Sequence, residues 1–128
     1  MTPKPPEQAL SPLLREPKPS GRYRIADEAD DVARRLADHG WRVARLRGTA
    51  TKREFLARAG EALEFPGYYG ANYDAFADCL GDLTDPTALL WDGWQGLATG
   101  DPDAWRVLGE IFDQRYADSP PFALVLLT

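Results

Sequence analysis

Three aspartates, Asp74, Asp78 and Asp82, recur at four-residue intervals in the segment from Asn72 to Leu83. On a helix that spacing sets all three carboxylates on one stripe. Phe76, Cys79, Leu80 and Leu83, at i, i+3, i+4 and i+7, fall on another stripe and read as core. Asp74 gains from the macrodipole if Asn72 caps the helix. Asp78 and Asp82 gain little, and like charges four residues apart repel by a few tenths of a kcal/mol. No Lys or Arg occurs in residues 61–82 to offset them. Such a row, next to the loop Phe65-Pro-Gly-Tyr-Tyr-Gly-Ala-Asn72, reads as a surface prepared for a basic partner.

Other chemistries fit these residues less well. Carboxylate pairs that work as acid and base flank a cleft, whereas these line a convex helix. The single cysteine, Cys79, cannot form an internal disulfide, and its helical phase is core. A Cys–His nucleophile needs an exposed thiol beside an imidazole. The one histidine, His39, lies about forty residues away beside Gly40, where it reads as a helix-end residue. There is no phosphate loop, zinc spacing or dinucleotide fingerprint. Neither an enzyme, a cofactor nor a metal site is expected. Tyr68, Tyr69 and Tyr73 could stack on bases, yet no nearby basic residue would hold a nucleic-acid backbone.

The charge of the whole chain points the same way. Of 20 acidic and 15 basic side chains in 128 residues, residues 61–128 hold twelve acids and two bases. One acidic half suits a basic protein and does not suit nucleic acid or an anionic membrane surface. No stretch approaches the length of a membrane span, and the N-terminus lacks the apolar core of a secretory signal. A cytoplasmic protein is the expectation.

The elements that position the acidic row follow from periodicity. Six prolines in the first twenty residues predict a flexible arm over 1–22, with a single domain over 23–128. Asp27 is the expected cap of a helix ending at Gly40. Trp41–Arg47 reads as a strand whose arginines leave one edge wet. Thr51-Lys-Arg-Glu54 has the form of a capping box for a helix that stops before Pro66. Thr87–Trp91 and Phe122–Leu127 are continuous apolar runs, expected for strands buried on both faces. Asp101-Pro102 opens a last helix with Trp105, Leu108, Ile111 and Phe112 inward. Trp94, after Gly93, is given no role by its spacing. Strands alternating with helices predict an α/β fold with a parallel sheet of about three strands.

Residues 65–80, Phe-Pro-Gly-Tyr-Tyr-Gly-Ala-Asn-Tyr-Asp-Ala-Phe-Ala-Asp-Cys-Leu, resemble the signature of the barstar family of ribonuclease inhibitors. The likeness extends over about 41–128 and takes in Gly48, the Leu-Leu-Trp91 strand and the apolar C-terminal strand. It implies a barstar-like three-stranded parallel sheet packed by helices, here with an extra N-terminal helix. It further implies an antitoxin-like, non-enzymatic partner: a 1:1 complex with a basic, barnase-type secreted ribonuclease, and a monomer when free. By resemblance Asp78 would enter the nuclease's phosphate pocket, with Tyr68, Gly70, Asn72 and Asp74 around it, and Asp82 at the margin. Ala77 stands where barstar has a tryptophan, and Leu83 where it has another aromatic. A second acidic contact on the last helix would fall at Asp113 or Gln114. The alternative is a barstar-like binding module for another basic protein or toxin that is not a ribonuclease.

Overall fold

The computed structural model describes residues 9–128. A 3-10 turn (Ser11–Leu14) precedes β1 (Gly21–Ile25), α1 (Ala29–Asp38), β2 (Arg42–Arg47), α2 (Lys52–Ala62) and α3 (Tyr73–Gly81). β3 (Thr87–Asp92), α4 (Gln95–Gly100), α5 (Pro102–Arg115) and β4 (Phe122–Leu127) complete the order. The strands form one all-parallel sheet in the order β1-β4-β3-β2. Parallel crossovers keep one hand. The β1-to-β2 connection crosses the whole sheet one way, and the next two connections step back the other way. Their helices therefore lie on opposite faces.

Two apolar layers result. On one face Leu46, Leu89, Trp91, Leu124 and Leu126 pack against Phe55 and Leu56 of α2, Phe76 and Leu80 of α3, and Leu108 and Phe112 of α5. On the other, Leu90, Val125 and Leu127 meet Val32 and Leu36 of α1 together with Leu10 and Leu13. The central strands β3 and β4 feed both layers, which explains their unbroken apolar runs. On β2, an edge strand, Ala44 and Leu46 point inward while Arg45 and Arg47 stay exposed.

Local signals set the helix starts. Asn72 Oδ1 accepts from Ala75 N at 2.8 Å, and Asp101 Oδ1 from Ala104 N at 3.2 Å. Thr51 Oγ1 accepts from Glu54 N at 3.2 Å, and the Glu54 carboxylate reaches back to Ala50 N at 3.0 Å. The capping box thus closes one residue earlier than its usual form.

Four expectations need correction. The sheet has four strands, not three, because Gly21–Ile25 pairs with β4 throughout its length. Arg22 and Arg24 hid that strand, yet in register with Leu124 and Leu126 they lie at the sheet edge on the face that carries α2, α3 and α5, where the Arg24 guanidinium sits 5.2 Å from the Trp94 ring centre. The part of the proline-rich stretch within the described residues is not a bare arm. Leu10 and Leu13 are buried, and Leu13 O accepts from Trp41 Nε1 at 2.7 Å. Residues 1–8 of that arm lie outside the described residues. The cap of α1 is Glu28, whose two carboxylate oxygens accept from Asp30 N and Asp31 N, rather than Asp27. Finally, the loop after Gly93 contains the short helix α4, and Trp94 has a place. Its Nε1 donates to Leu127 O at 3.1 Å and its ring stacks on Trp105.

Candidate partner-binding surface

The Tyr/Gly loop joins α2 to α3 and is fixed at several points. At its start Arg42 of β2 donates Nη2 to Leu63 O at 3.2 Å and to Glu64 Oε2 at 2.6 Å. Phe65 then packs edge-on to both Tyr69 and Phe76. The two adjacent tyrosines divide their roles. Tyr69 donates its hydroxyl to Leu56 O at 2.8 Å and is half-buried, and burial pushes its phenol up to about 12. Tyr68 is the one large hydrophobic side chain left open among the described residues, at 80 % exposure. Sequence alone does not distinguish the pair, so the anchoring role of Tyr69 was missed.

The loop leads into α3 through Gly70, Ala71 and Asn72. The Asn72 side chain is committed to Ala75 N as the cap, which fixes the first turn of the helix. Phe76, Cys79 and Leu80 are buried, as the spacing predicts. Asp74, Asp78 and Asp82 are all exposed on the other side. Among the described residues none of the three carboxylates has an ion pair or side-chain hydrogen bond. Some acids elsewhere are engaged: Asp103 and Glu110 flank Arg106, Asp30 meets Arg45, and Glu64 meets Arg42. Apart from the buried Phe76, Cys79 and Leu80, the positions between the α3 acids are small: Ala75, Ala77 and Gly81. Ala77 is half-buried, and a side-chain carbon added at Gly81 would meet nothing within 4 Å. A partner can therefore approach the helix backbone closely.

Other predicted residues fall at the margin or outside this face. Asp82 is the C-terminal cap residue of α3, and its backbone N–H closes the helix. Leu83 is buried in the core cluster, so it supports the surface from beneath. Asp113 lines a crevice between α5 and β1 with Arg22, Gly109 and Tyr116, to which α3 contributes no residue. A cation also stands at the rim: Lys52 Nζ lies 4.1 Å from the centre of the Tyr73 ring. Burial, with Asp101 and Asp103 nearby, raises the Tyr73 phenol.

The nucleophile pair considered from sequence is not assembled. Cys79 is buried, and burial together with Asp82 and Asp78 raises its thiol, opposite to what a nucleophile needs. His39 Nδ1 donates to Arg35 O at 2.8 Å at the end of α1, across the sheet from α3. Among the described residues no group of three or more His, Cys, Asp or Glu side chains could hold a metal ion, and no helix is long and apolar enough to cross a membrane.

Comparison with protein families matches residues 39–126 to the family described as Barstar (barnase inhibitor). The match covers more than two thirds of the chain and takes in β2 to β4 with the loop and α3. The 3-10 turn, β1 and α1 precede it. No curated protein matches the chain.

Proposed function

The chain belongs to the barstar family, and from that premise we propose that it inhibits a barnase-type ribonuclease by plugging the enzyme's cationic phosphate-binding cleft. The observation that carries this reading is the pair Asp74 and Asp78, exposed one turn apart on a capped helix and engaged by no cation among the described residues. A pocket of Arg, Lys and His built for phosphate also accepts a carboxylate, because charge-assisted hydrogen bonds suit either anion. Asp78 is the central plug, and Asp74, Asn72, Gly70 and Tyr68 surround it. Asp82 extends the acidic field, and Asp113 of α5 is a more distant candidate contact.

The mode of action is competition. With the plug seated, RNA phosphate has no access to the cleft. No bond is made or broken, so the protein acts as a stoichiometric 1:1 inhibitor in the cytoplasm of the cell that makes the toxin. The acidic row steers the encounter and raises the on-rate, and added salt screens that gain. A second reading is favoured by one residue. Ala77, half-buried and small, leaves a relief where barstar carries a tryptophan, so a basic partner of different shape would fit the same acidic face.

Titration of the protein into a barnase-type nuclease, followed by RNA cleavage and by calorimetry at low and high salt, tests the proposal. One-to-one inhibition that weakens with salt is expected. Absence of binding, with capture of a basic protein lacking ribonuclease activity instead, would favour the second reading.

A further inference from the structure

Strain brackets the partner-binding loop. Glu64 (φ 57°) and Ala71 (φ 50°), one on each side of Phe65–Gly70, are the two non-glycine residues with positive φ among the described residues. That region disfavours a residue with a side chain and persists only where the surroundings hold it. Arg42 holds the entry and the Asn72 cap holds the exit. The middle is held by Tyr69, and the contact that admits Tyr69 is unusual.

The Tyr69 ring lies against the backbone of α2 at Gly60. A side-chain carbon at Gly60 would sit 2.4 Å from Tyr69 Cε2 and 2.8 Å from Cδ2, far inside contact distance. Glycine inside a helix is less stable than alanine. Gly60 is not in the left-handed region, so backbone conformation gives no reason for it. The ring does. With the gap filled, Tyr69 could not keep both its seat and its hydrogen bond to Leu56 O.

We propose that Gly60 and Tyr69 form a positioning pair that preforms the Tyr68–Gly70 loop, and so sets the lifetime of the complex rather than the rate of encounter. This rests on the inhibitor reading above. Gly60 is buried, and the Tyr69 hydroxyl is committed within the chain, so both act through their neighbours. Encounter is governed by the α3 carboxylates, whereas lifetime depends on a loop that arrives already in its bound shape.

The test uses Gly60→Ala, Tyr69→Ala and the double variant in the full chain, with association and dissociation from a barnase-type nuclease measured separately. Gly60→Ala and Tyr69→Ala should each raise koff by about tenfold or more, while kon and its salt dependence stay within about twofold. In the double variant the two effects should not add, because the alanine at 60 has no ring left to displace. A partner-free arm measures chymotrypsin cleavage after Tyr68 under native conditions. Both single variants should be cut several-fold faster than the parent, and Arg106→Ala should not. Unchanged koff and unchanged cleavage in Gly60→Ala, or additive effects in the double variant, would overturn the proposal. If Gly60→Ala does not fold, Tyr69→Phe and Tyr69→Ala decide by the same two readouts. If the parent binds no nuclease, the inhibitor reading fails, and the cleavage arm still decides whether the pair holds the loop.

Discussion

Arg115 Nε, in the last turn of α5, donates to Leu80 O at the end of α3 at 2.8 Å. The same buried guanidinium donates Nη1 to Asp118 O at 3.2 Å and Nη2 to Pro120 O at 2.7 Å. One fork thus ties the acidic helix to α5 and to the turn that enters β4. Burial lowers its pKa, but the planar group still offers its donors in fixed directions. Arg115→Ala leaves three carbonyls without their donor and should destabilise the fold by about 2–4 kcal/mol. Arg115→Lys should recover only part of that loss, since a point charge cannot satisfy three carbonyls at once. Urea midpoints for the two variants check this, and equal midpoints for parent and Arg115→Ala would refute it.

The α3 acids should be unequal in binding. Asp78→Ala removes the central carboxylate and should weaken the complex by at least about 3 kcal/mol, since the partner's cations would then be buried without a counter-charge. Asp82→Ala, at the helix end, should cost much less and act on kon. The discriminating measurement is the salt series. Asp82→Ala should lose its effect at high salt, whereas the Asp78→Ala deficit should persist. Equal losses for the two variants would mean that a diffuse acidic field, rather than a plug, does the binding.

The segment before β1 should prove structural. Leu13 is fully buried and its carbonyl holds the Trp41 indole. Leu13→Ala should therefore cost about 2–4 kcal/mol. An arm that merely trails in solvent predicts no change, so thermal unfolding of this one variant separates the two views. Affinity for the partner should be unaltered, because Leu13 packs on the face of the sheet opposite α3.

What the sequence revealed and concealed follows from how each signal arises. α3 and α5 were legible because cap and apolar period agree at Asn72 and Asp101. β3 and β4 were legible because strands covered on both faces carry long apolar runs, residues 88–91 and 122–127. β1 was concealed because half of its side chains are arginines at an edge, and because prolines precede it. α4 was concealed because it is six residues long with two glycines, and Trp94 at its start offers no side-chain cap. At the site, the exposed row was readable from four-residue spacing alone. The seat of Tyr69 was not, since it depends on Gly60 across a helix, and a helical glycine read by itself signals only lost stability.

The loop anchor should also announce itself in alkali. The Tyr69 phenol is raised from 10.0 to about 12 by burial, and burial raises Tyr116 as well. For a group whose folded pKa lies above its unfolded value, the folded state holds its proton more tightly. That contribution is complete below the unfolded pKa and is lost as pH rises through the folded one. Stability should therefore be flat near neutrality in this respect and fall between about pH 10 and about pH 12. Tyr69→Phe removes one of the titrating phenols and should make the fall shallower, while lowering stability at neutral pH through the lost bond to Leu56 O. Urea unfolding at intervals across that window gives both quantities at once. A parent and a Tyr69→Phe variant with parallel pH profiles would show that the phenol is not held by the fold in solution.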